Sequence, residues 1–141
     1  MSHYRTPHDE YDFILHQLLK VQEKLDGYEV ETTQFMLNTA ASFAEKELSP
    51  LYEKQLATQF QSNTHGDFGT VTLPDGYQQA YATFCEAGLQ GIVADPAYGD
   101  AAIGQPHVVG AVVDEILHSA NGDFSLIPTL THSAYLGIYA H

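Results

Sequence analysis

The chain has 141 residues, enough for one domain with a hydrophobic core, and 44% of them are apolar, which favours a folded chain over a disordered one. Eighteen acidic residues stand against five basic ones, giving a net charge of −13. This charge argues against nucleic acid and anionic membrane surfaces as partners, because both are bound through Lys and Arg.

The first half of the chain is predicted to be helical. A helix is expected over 9–25, with an apolar side made of Phe13, Leu15, Leu18, Leu19 and Leu25. A second is expected from about Glu31 to Leu48, with an apolar stripe made of Phe35, Met36, Thr39, Ala40, Phe43, Ala44 and Leu48. Pro50 should open or interrupt a short helical piece over 51–60. The polar, Gly-rich stretch 62–76 is predicted to be a loop with one extended piece, TVTL.

The second half continues the helical pattern. Pro74 should lie in the first turn of a helix whose face carries Tyr77, Ala80, Tyr81, Phe84, Cys85 and Gly88. After a long loop over 88–105, Pro106 should start a helix with a stripe of Val108, Val109, Val112, Val113, Ile116 and Leu117. Asp123 is expected to cap the last helix, and Pro128 to kink or restart it. The pattern predicts an all-α domain of five to six helices in an orthogonal or up-down arrangement.

The last helix shows an apolar pattern that is still repeating near the end of the sequence. Leu130, Ala134, Ile138 and Tyr139 keep helical spacing, and no Gly or Asn follows as a stop signal. This pattern predicts that the sequence ends inside an unfinished domain.

The single cysteine, Cys85, excludes an intrachain disulfide and fits a reducing compartment. A buried structural role is expected for it rather than a nucleophilic one. No apolar run approaches the ~18 residues of a membrane span, and the N-terminus lacks the charged-then-apolar order of a signal peptide. A cytoplasmic protein is therefore predicted.

The residues alone do not predict an active site. The eight histidines include no pair at the i, i+4 spacing of a helical zinc site. Ser119, His132 and Asp114 can be drawn as a triad, but no strand–turn–helix nucleophile elbow is present. There is no phosphate loop and no dinucleotide fingerprint. Asp114 and the adjacent Glu115 point in different directions on a helix; a solvated face is favoured for them, with one of the two facing the core side as the alternative.

Four stretches of the chain, 3–19, 41–51, 72–99 and 105–135, carry in register a pattern of one enzyme family. They resemble the acyl-CoA dehydrogenases, and most of all the 3-methylmercaptopropionyl-CoA dehydrogenase-like branch. "HYRTPHDEYDFILHQLL" resembles the N-terminal extension of that branch, and "ASFAEKELSPL" an early helix ending in a Leu–Ser/Ala–Pro–Leu step. "TLPDGYQQAYATFCEAGLQGIVADPAYG" resembles the family's next helix and its Tyr-Gly-Gly loop. "QPHVVGAVVDEILHSANGDFSLIPTLTHSAY" resembles the following two helices, so that the resemblance runs over nearly the whole chain.

The resemblance implies a place in a larger flavoenzyme. Family members have an N-terminal helical domain, a middle β domain and a C-terminal helical bundle; a glutamate removes the acyl α-proton and FAD accepts hydride from the β-carbon. That glutamate and most FAD contacts lie in the second and third domains. The resemblance thus implies an extension with one helix over 1–30, the N-terminal helical domain over 31–141, FAD in the parent enzyme only, and no catalytic, cofactor-binding or metal residue in this chain.

The last helix of this domain helps to form the wall of the acyl pocket in the family. Carried over, the substrate-binding residues are Phe124, Ser125, Pro128 and His132, which share one helical face. The alternative is that this face only packs on the neighbouring Val-rich helix.

Two departures from the family pattern bear on the pocket. The Tyr-Gly-Gly loop appears as Tyr98, Gly99 and Asp100, where Asp tolerates a left-handed backbone only at some cost. The piece Thr-His-Gly-Ala has Ser133 in place of the glycine, a mild change.

The resemblance also implies partners. The parent would bind acyl-CoA and oxidise it to 2-enoyl-CoA, and this domain would dock on the β and C-terminal domains. Without them, an exposed apolar face should drive homo-oligomer formation. The alternative is a free-standing helical association module derived from this domain.

Overall fold

The computed structural model describes residues 4–58, 73–99 and 103–141, and all regular structure in these ranges is helical, which confirms the all-α class. The α-helices are α1 His8–Asp12, α2 Val30–Phe43, α3 Ser49–Thr58, α4 Tyr77–Glu86, α5 His107–Ala120 and α6 Gly122–Tyr139. Two π-helical turns, Phe13–Leu18 and Ala44–Leu48, extend α1 and join α2 to α3. Three single turns of 3₁₀-helix are Val21–Glu23, Leu89–Gly91 and Pro96–Tyr98.

The N-terminal helix is shorter than predicted and buries a different face. The backbone amide of Leu19 bonds to the carbonyl of Ile14, an i→i−5 step that shifts the helical register, and Lys20 then adopts a left-handed conformation (φ 52°) that ends the helix. Of the predicted apolar side only Leu15 is buried, while the other four residues are exposed. Tyr11 and Val21 take their place in the core.

Pro50 lies at the second position of α3, so it opens the predicted helical piece and does not interrupt it. Residues 30–58 are helical throughout. In the π turn before the proline, the amide of Ser49 bonds to the carbonyl of Ala44, again an i→i−5 step. The wider turn changes the local hydrogen-bond register next to a residue that has no amide hydrogen to donate.

The next helix begins at Tyr77 rather than around Pro74. A turn separates them, and Gly76 has φ +92°, which an L side chain rarely adopts. The helix ends at Glu86, and Gly88 follows in the left-handed conformation typical of helix C-termini. Cys85 is half-buried rather than buried, against the edge of the core. Most of the loop predicted over 62–76 lies outside the described residues.

The last two helices, α5 and α6, pack against each other. The valine-rich stripe of α5 is confirmed, with Val109, Val113, Ile116 and Leu117 buried. Asp123 does not cap α6, because the side chain of Asn121 accepts the hydrogen bond from the Phe124 amide at 3.0 Å. Pro128 does not restart the helix either, since α6 continues through it from Gly122 to Tyr139.

The core centres on four aromatic rings. The ring of Phe124, which is fully buried, lies 6.0 Å from that of Phe43, 5.7 Å from that of Tyr77 and 6.4 Å from that of Phe84. The pairs with Tyr77 and Phe84 have the edge-to-face geometry that aromatic rings prefer, and the pair with Phe43 is tilted at 57°. The start of α6 is thereby locked onto the helices before it.

Candidate functional site

A cavity of about 300 Å³ lies between α4, α5, α6 and the segment that follows α4. Most of its wall is apolar, including Phe84, Leu89, Ile92, Val113, Leu117 and Pro128. A concave, mainly apolar cavity with a few polar groups is the usual form of a small-molecule site. It is therefore the candidate functional site.

Two tyrosines of α6 hold the loop that forms one side of the cavity. The hydroxyl of Tyr135 accepts a hydrogen bond from the Asp95 amide at 3.0 Å, and that of Tyr139 donates to the Asp95 carboxylate at 3.2 Å. The other carboxylate oxygen of Asp95 accepts from the Ala97 amide at 2.9 Å. Asp95 thus joins the loop to the second half of α6, and Tyr98 and Gly99 beside it contribute to the lining.

Gly110 lets α5 approach the same loop. A Cβ atom placed on this glycine would lie 2.6 Å from Cγ1 of Val93, closer than real carbon atoms approach. Both residues line the cavity. A side chain at position 110 would have to displace the Val93 side chain and would change the shape of the cavity.

Two ionisable side chains, Asp114 and His132, also line the cavity. Both are half-buried. Burial raises the pKa of Asp114, and the nearby imidazoles of His132 and His118 act in the opposite direction. A partly desolvated carboxyl group, with the His132 imidazole on the same mostly apolar wall, is therefore the main electrostatic feature of the site.

The structure divides the four predicted substrate-binding residues into two pairs. Pro128 and His132 line the cavity. Phe124 and Ser125 are fully buried beneath it, the first in the aromatic cluster and the second with its hydroxyl donating to the Asn121 carbonyl at 2.8 Å. Phe124 reaches the cavity only through Phe84, which contacts it and lines the wall. Binding of a substrate by any of the four stays a prediction.

Sequence reasoning missed Asp114 as a site residue. The solvated face favoured for the two adjacent carboxylates holds for Glu115, which is exposed, but not for Asp114. The available signal was its i+4 spacing from Gly110 and its i−3 spacing from Leu117, which place all three on one face of α5. Ser119 lies on a different groove, so the triad of Ser119, His132 and Asp114 is not assembled.

The raised pKa of Asp114 gives a pH-dependent stability. The folded state retains a proton that the unfolded state has released, so the stability contributed by this group is present below the usual Asp pKa of about 3.9 and is lost as pH rises through the folded value. Asp114→Asn should therefore gain free energy of unfolding, relative to the wild type, as pH rises from about 4 towards neutrality. Urea unfolding at several pH values measures this difference.

The matched control is Glu115→Gln, which removes the same charge from an exposed neighbouring position. The difference in free energy of unfolding between Glu115→Gln and the wild type should change less with pH over the same range. If the difference in free energy of unfolding between Asp114→Asn and the wild type is constant with pH, burial does not raise the pKa of Asp114.

Charge is distributed unevenly along the chain. All five Lys and Arg residues lie in the first 54 positions, so no fixed positive charge comes from the sequence that forms the cavity. FAD does not fit this cavity, because a space of about 300 Å³ is far smaller than the dinucleotide and Asp114 would repel its pyrophosphate. No step through a flavin is therefore assigned to these residues.

The described residues were also compared with the requirements of a metal centre and of a membrane-spanning helix. Within residues 4–58, 73–99 and 103–141, no three His, Cys, Asp or Glu side chains cluster as metal ligands would. No helix in these ranges combines the length and apolar character needed to cross a membrane.

Comparison with known proteins shows a similarity over part of the chain. No family model matches the sequence. Over 66 residues the chain is 42% identical to a 3-methylmercaptopropionyl-CoA dehydrogenase of Ruegeria pomeroyi. The matched region is 47% of this chain but 11% of that protein, so the chain spans about a tenth of the relative's length. The identity supports the resemblance to the acyl-CoA dehydrogenases over that part of the chain.

Proposed function

We propose that this chain is the N-terminal helical domain of an FAD-dependent acyl-CoA dehydrogenase and forms part of the wall of its acyl pocket. The 42% identity over 66 residues to a protein of that name carries the proposal. The all-α fold and the apolar cavity are compatible with it. The parent would oxidise an acyl-CoA to its 2-enoyl form in the cytoplasm.

The role of the chain in that reaction is to bind rather than to transform the substrate. Apolar side chains around the cavity would remove the acyl chain from water, with Pro128 and His132 at its surface and Phe124 and Ser125 fixing the helix behind them. The proton-abstracting glutamate and the flavin would belong to other parts of the parent. The chain alone should therefore be inactive.

The coenzyme A portion of the substrate should bind outside this cavity. Its phosphates require positive charge, and the sequence after Lys54 contains no Lys or Arg. The cavity is accordingly proposed to receive only the acyl end.

The proposal is tested by expressing the full reading frame that contains this sequence. We expect a yellow protein with flavin absorbance that is bleached by an acyl-CoA, with 2-enoyl-CoA formed in equal amount. The 141-residue chain alone, the matched control, should show neither property. A full reading frame whose product binds no flavin and oxidises no acyl-CoA would refute the proposal.

A second candidate is a helical module for protein association, favoured by the exposed surface of α6. Four apolar residues of α6 follow each other at four-residue intervals and are all exposed: Leu126, Leu130, Ala134 and Ile138. We call them the α6 apolar row. Leu130 is 68% and Ile138 80% accessible. A row of large exposed apolar side chains is typical of a surface that binds another protein.

The α6 apolar row should make the isolated chain self-associate into a dimer or larger species. Replacing both Leu130 and Ile138 with lysine should weaken this association by at least about a hundredfold, because two apolar contacts of about 1.5–3 kcal/mol each are lost. Sedimentation velocity measures the species present. Added salt should favour association of the wild type, because it screens the repulsion between chains of net charge −13.

The control is Leu18→Lys with Leu19→Lys, which adds the same charge at exposed leucines on the N-terminal helical segment. It should leave association nearly unchanged. A wild-type chain that sediments as a monomer at high concentration and high salt would contradict the prediction.

A further inference from the structure

The carboxylate of Asp114 has no hydrogen-bond donor from the described part of the protein. It lines a cavity whose wall is mostly apolar, and it is half-buried on the inner side of α5. The neighbouring imidazole of His118 bonds to the backbone carbonyl of Asp114 at 2.8 Å and not to its carboxylate. A partly desolvated carboxylate without a donor costs free energy that a ligand can recover.

The surroundings of Asp114 offer little positive charge. The groups beside it that can become cationic are the imidazoles of His132 and His118, and no Lys or Arg occurs after position 54. Burial raises the pKa of Asp114, in agreement with a charge that lacks compensation. A positive group entering the cavity would supply that compensation.

The size of the cavity limits the ligand. A volume of about 300 Å³ corresponds to about ten non-hydrogen atoms, if each takes a share similar to the ~30 Å³ of liquid water. A chain of about six carbons with a small polar end meets this limit. A methyl end would leave Asp114 unpartnered, a hydroxyl end would donate one neutral hydrogen bond, and a carboxylate end would be repelled.

We propose that this cavity prefers an apolar chain whose far end carries a cationic hydrogen-bond donor, an ammonium-type group, which Asp114 binds. The inference rests on the proposed function in one respect only, that the apolar part of the natural ligand is an acyl chain. His132, on the neighbouring helix α6, lies on the same cavity wall and contributes a second polar group near that end. The site would thus recognise the end of the acyl chain that is remote from the thioester.

The test uses the 141-residue chain and four probes: hexylammonium, hexanol, hexanoate, and the neutral thioester hexanoyl-pantetheine. Proton–nitrogen NMR correlation spectra locate binding, and titration gives the dissociation constants. Hexylammonium should bind about tenfold more tightly than hexanol, because a charge-assisted hydrogen bond replaces a neutral one. Hexanoate should bind most weakly.

Two variants separate the role of Asp114 from the general negative charge of the protein. Asp114→Asn should abolish the preference for hexylammonium over hexanol and leave hexanol binding within about twofold. Glu115→Gln, with the same loss of charge at an exposed neighbouring site, should keep the preference. Unchanged spectra outside the cavity would show that both variants fold as the wild type does.

The outcomes distinguish this inference from the proposed function. Equal binding of all four probes, or a preference for hexylammonium that survives Asp114→Asn, overturns the inference and leaves the acyl pocket standing. Binding of hexylammonium through Asp114 without any binding of hexanoyl-pantetheine supports the inference and removes support for the acyl pocket. Absence of binding by every probe overturns both.

Discussion

Phe124→Ala is expected to lower the free energy of unfolding by about 3–5 kcal/mol, the usual cost of deleting a buried aromatic ring. Phe124 is fully buried, and its ring packs against those of Phe43, Tyr77 and Phe84. Loss of the ring removes three aromatic contacts at once and leaves a hole at the start of α6. Chemical denaturation followed by circular dichroism measures the change.

Phe35→Ala is the matched control, because it deletes the same ring from a position that is 64% exposed. Its effect should stay below about 1 kcal/mol, as is usual for surface positions. Equal effects of the two substitutions would mean that Phe124 is not at the centre of the core. The same result would remove the support that α6 gives to the cavity wall.

Leu15→Ala is expected to cost about 2–5 kcal/mol of folding free energy. Leu15 is fully buried in a cluster that also contains Val21, Leu37 and Val113, so the N-terminal segment and the later helices share one core. The substitution should therefore destabilise the whole chain in one cooperative transition. Thermal unfolding followed by both tyrosine fluorescence and circular dichroism would show this coincidence.

Leu18→Ala in the same π-helical turn is the control, since Leu18 is 64% exposed and its loss should change stability little. A Leu15→Ala protein with wild-type stability would show that residues 1–30 do not fold with the rest. In that case the predicted extension and the predicted domain would unfold independently of each other.

The sequence predicted the fold well where apolar periodicity was regular. The stripe of α5 is unbroken, so helix position and buried face followed from spacing alone. At the N-terminus the same reasoning was wrong, because the π turn over Phe13–Leu18 changes the spacing and Lys20 ends the helix in a left-handed conformation. Neither feature has a signal in the periodic pattern.

Local chemistry was ambiguous at the start of α6. Asn121 and Asp123 both belong to residue types that cap helices, and in the structure the earlier one accepts the Phe124 amide. Pro128 was expected to kink or restart the helix; α6 does not restart there and continues from Gly122 to Tyr139 despite the missing amide hydrogen bond.

The candidate site was predicted only in part. The resemblance led to Pro128 and His132, which line the cavity, and to Phe124, which lies behind it. Asp114 was not chosen because a solvated face was favoured for the adjacent pair Asp114 and Glu115, and a core-facing member was only the alternative. Which member of an adjacent pair faces a cavity depends on the rotation of the helix against its neighbours, and that rotation is set by packing.

The most direct measurement is an NMR titration of the 141-residue chain with hexanoyl-pantetheine, a neutral acyl thioester. We expect saturable shifts concentrated at cavity residues, among them Ala94, Gly110, Thr131 and Tyr135. Gly122, near the start of α6 and outside the cavity lining, should not shift. Shifts confined to other grooves, or no shifts at saturating probe, would contradict the view that this domain forms part of an acyl-binding wall.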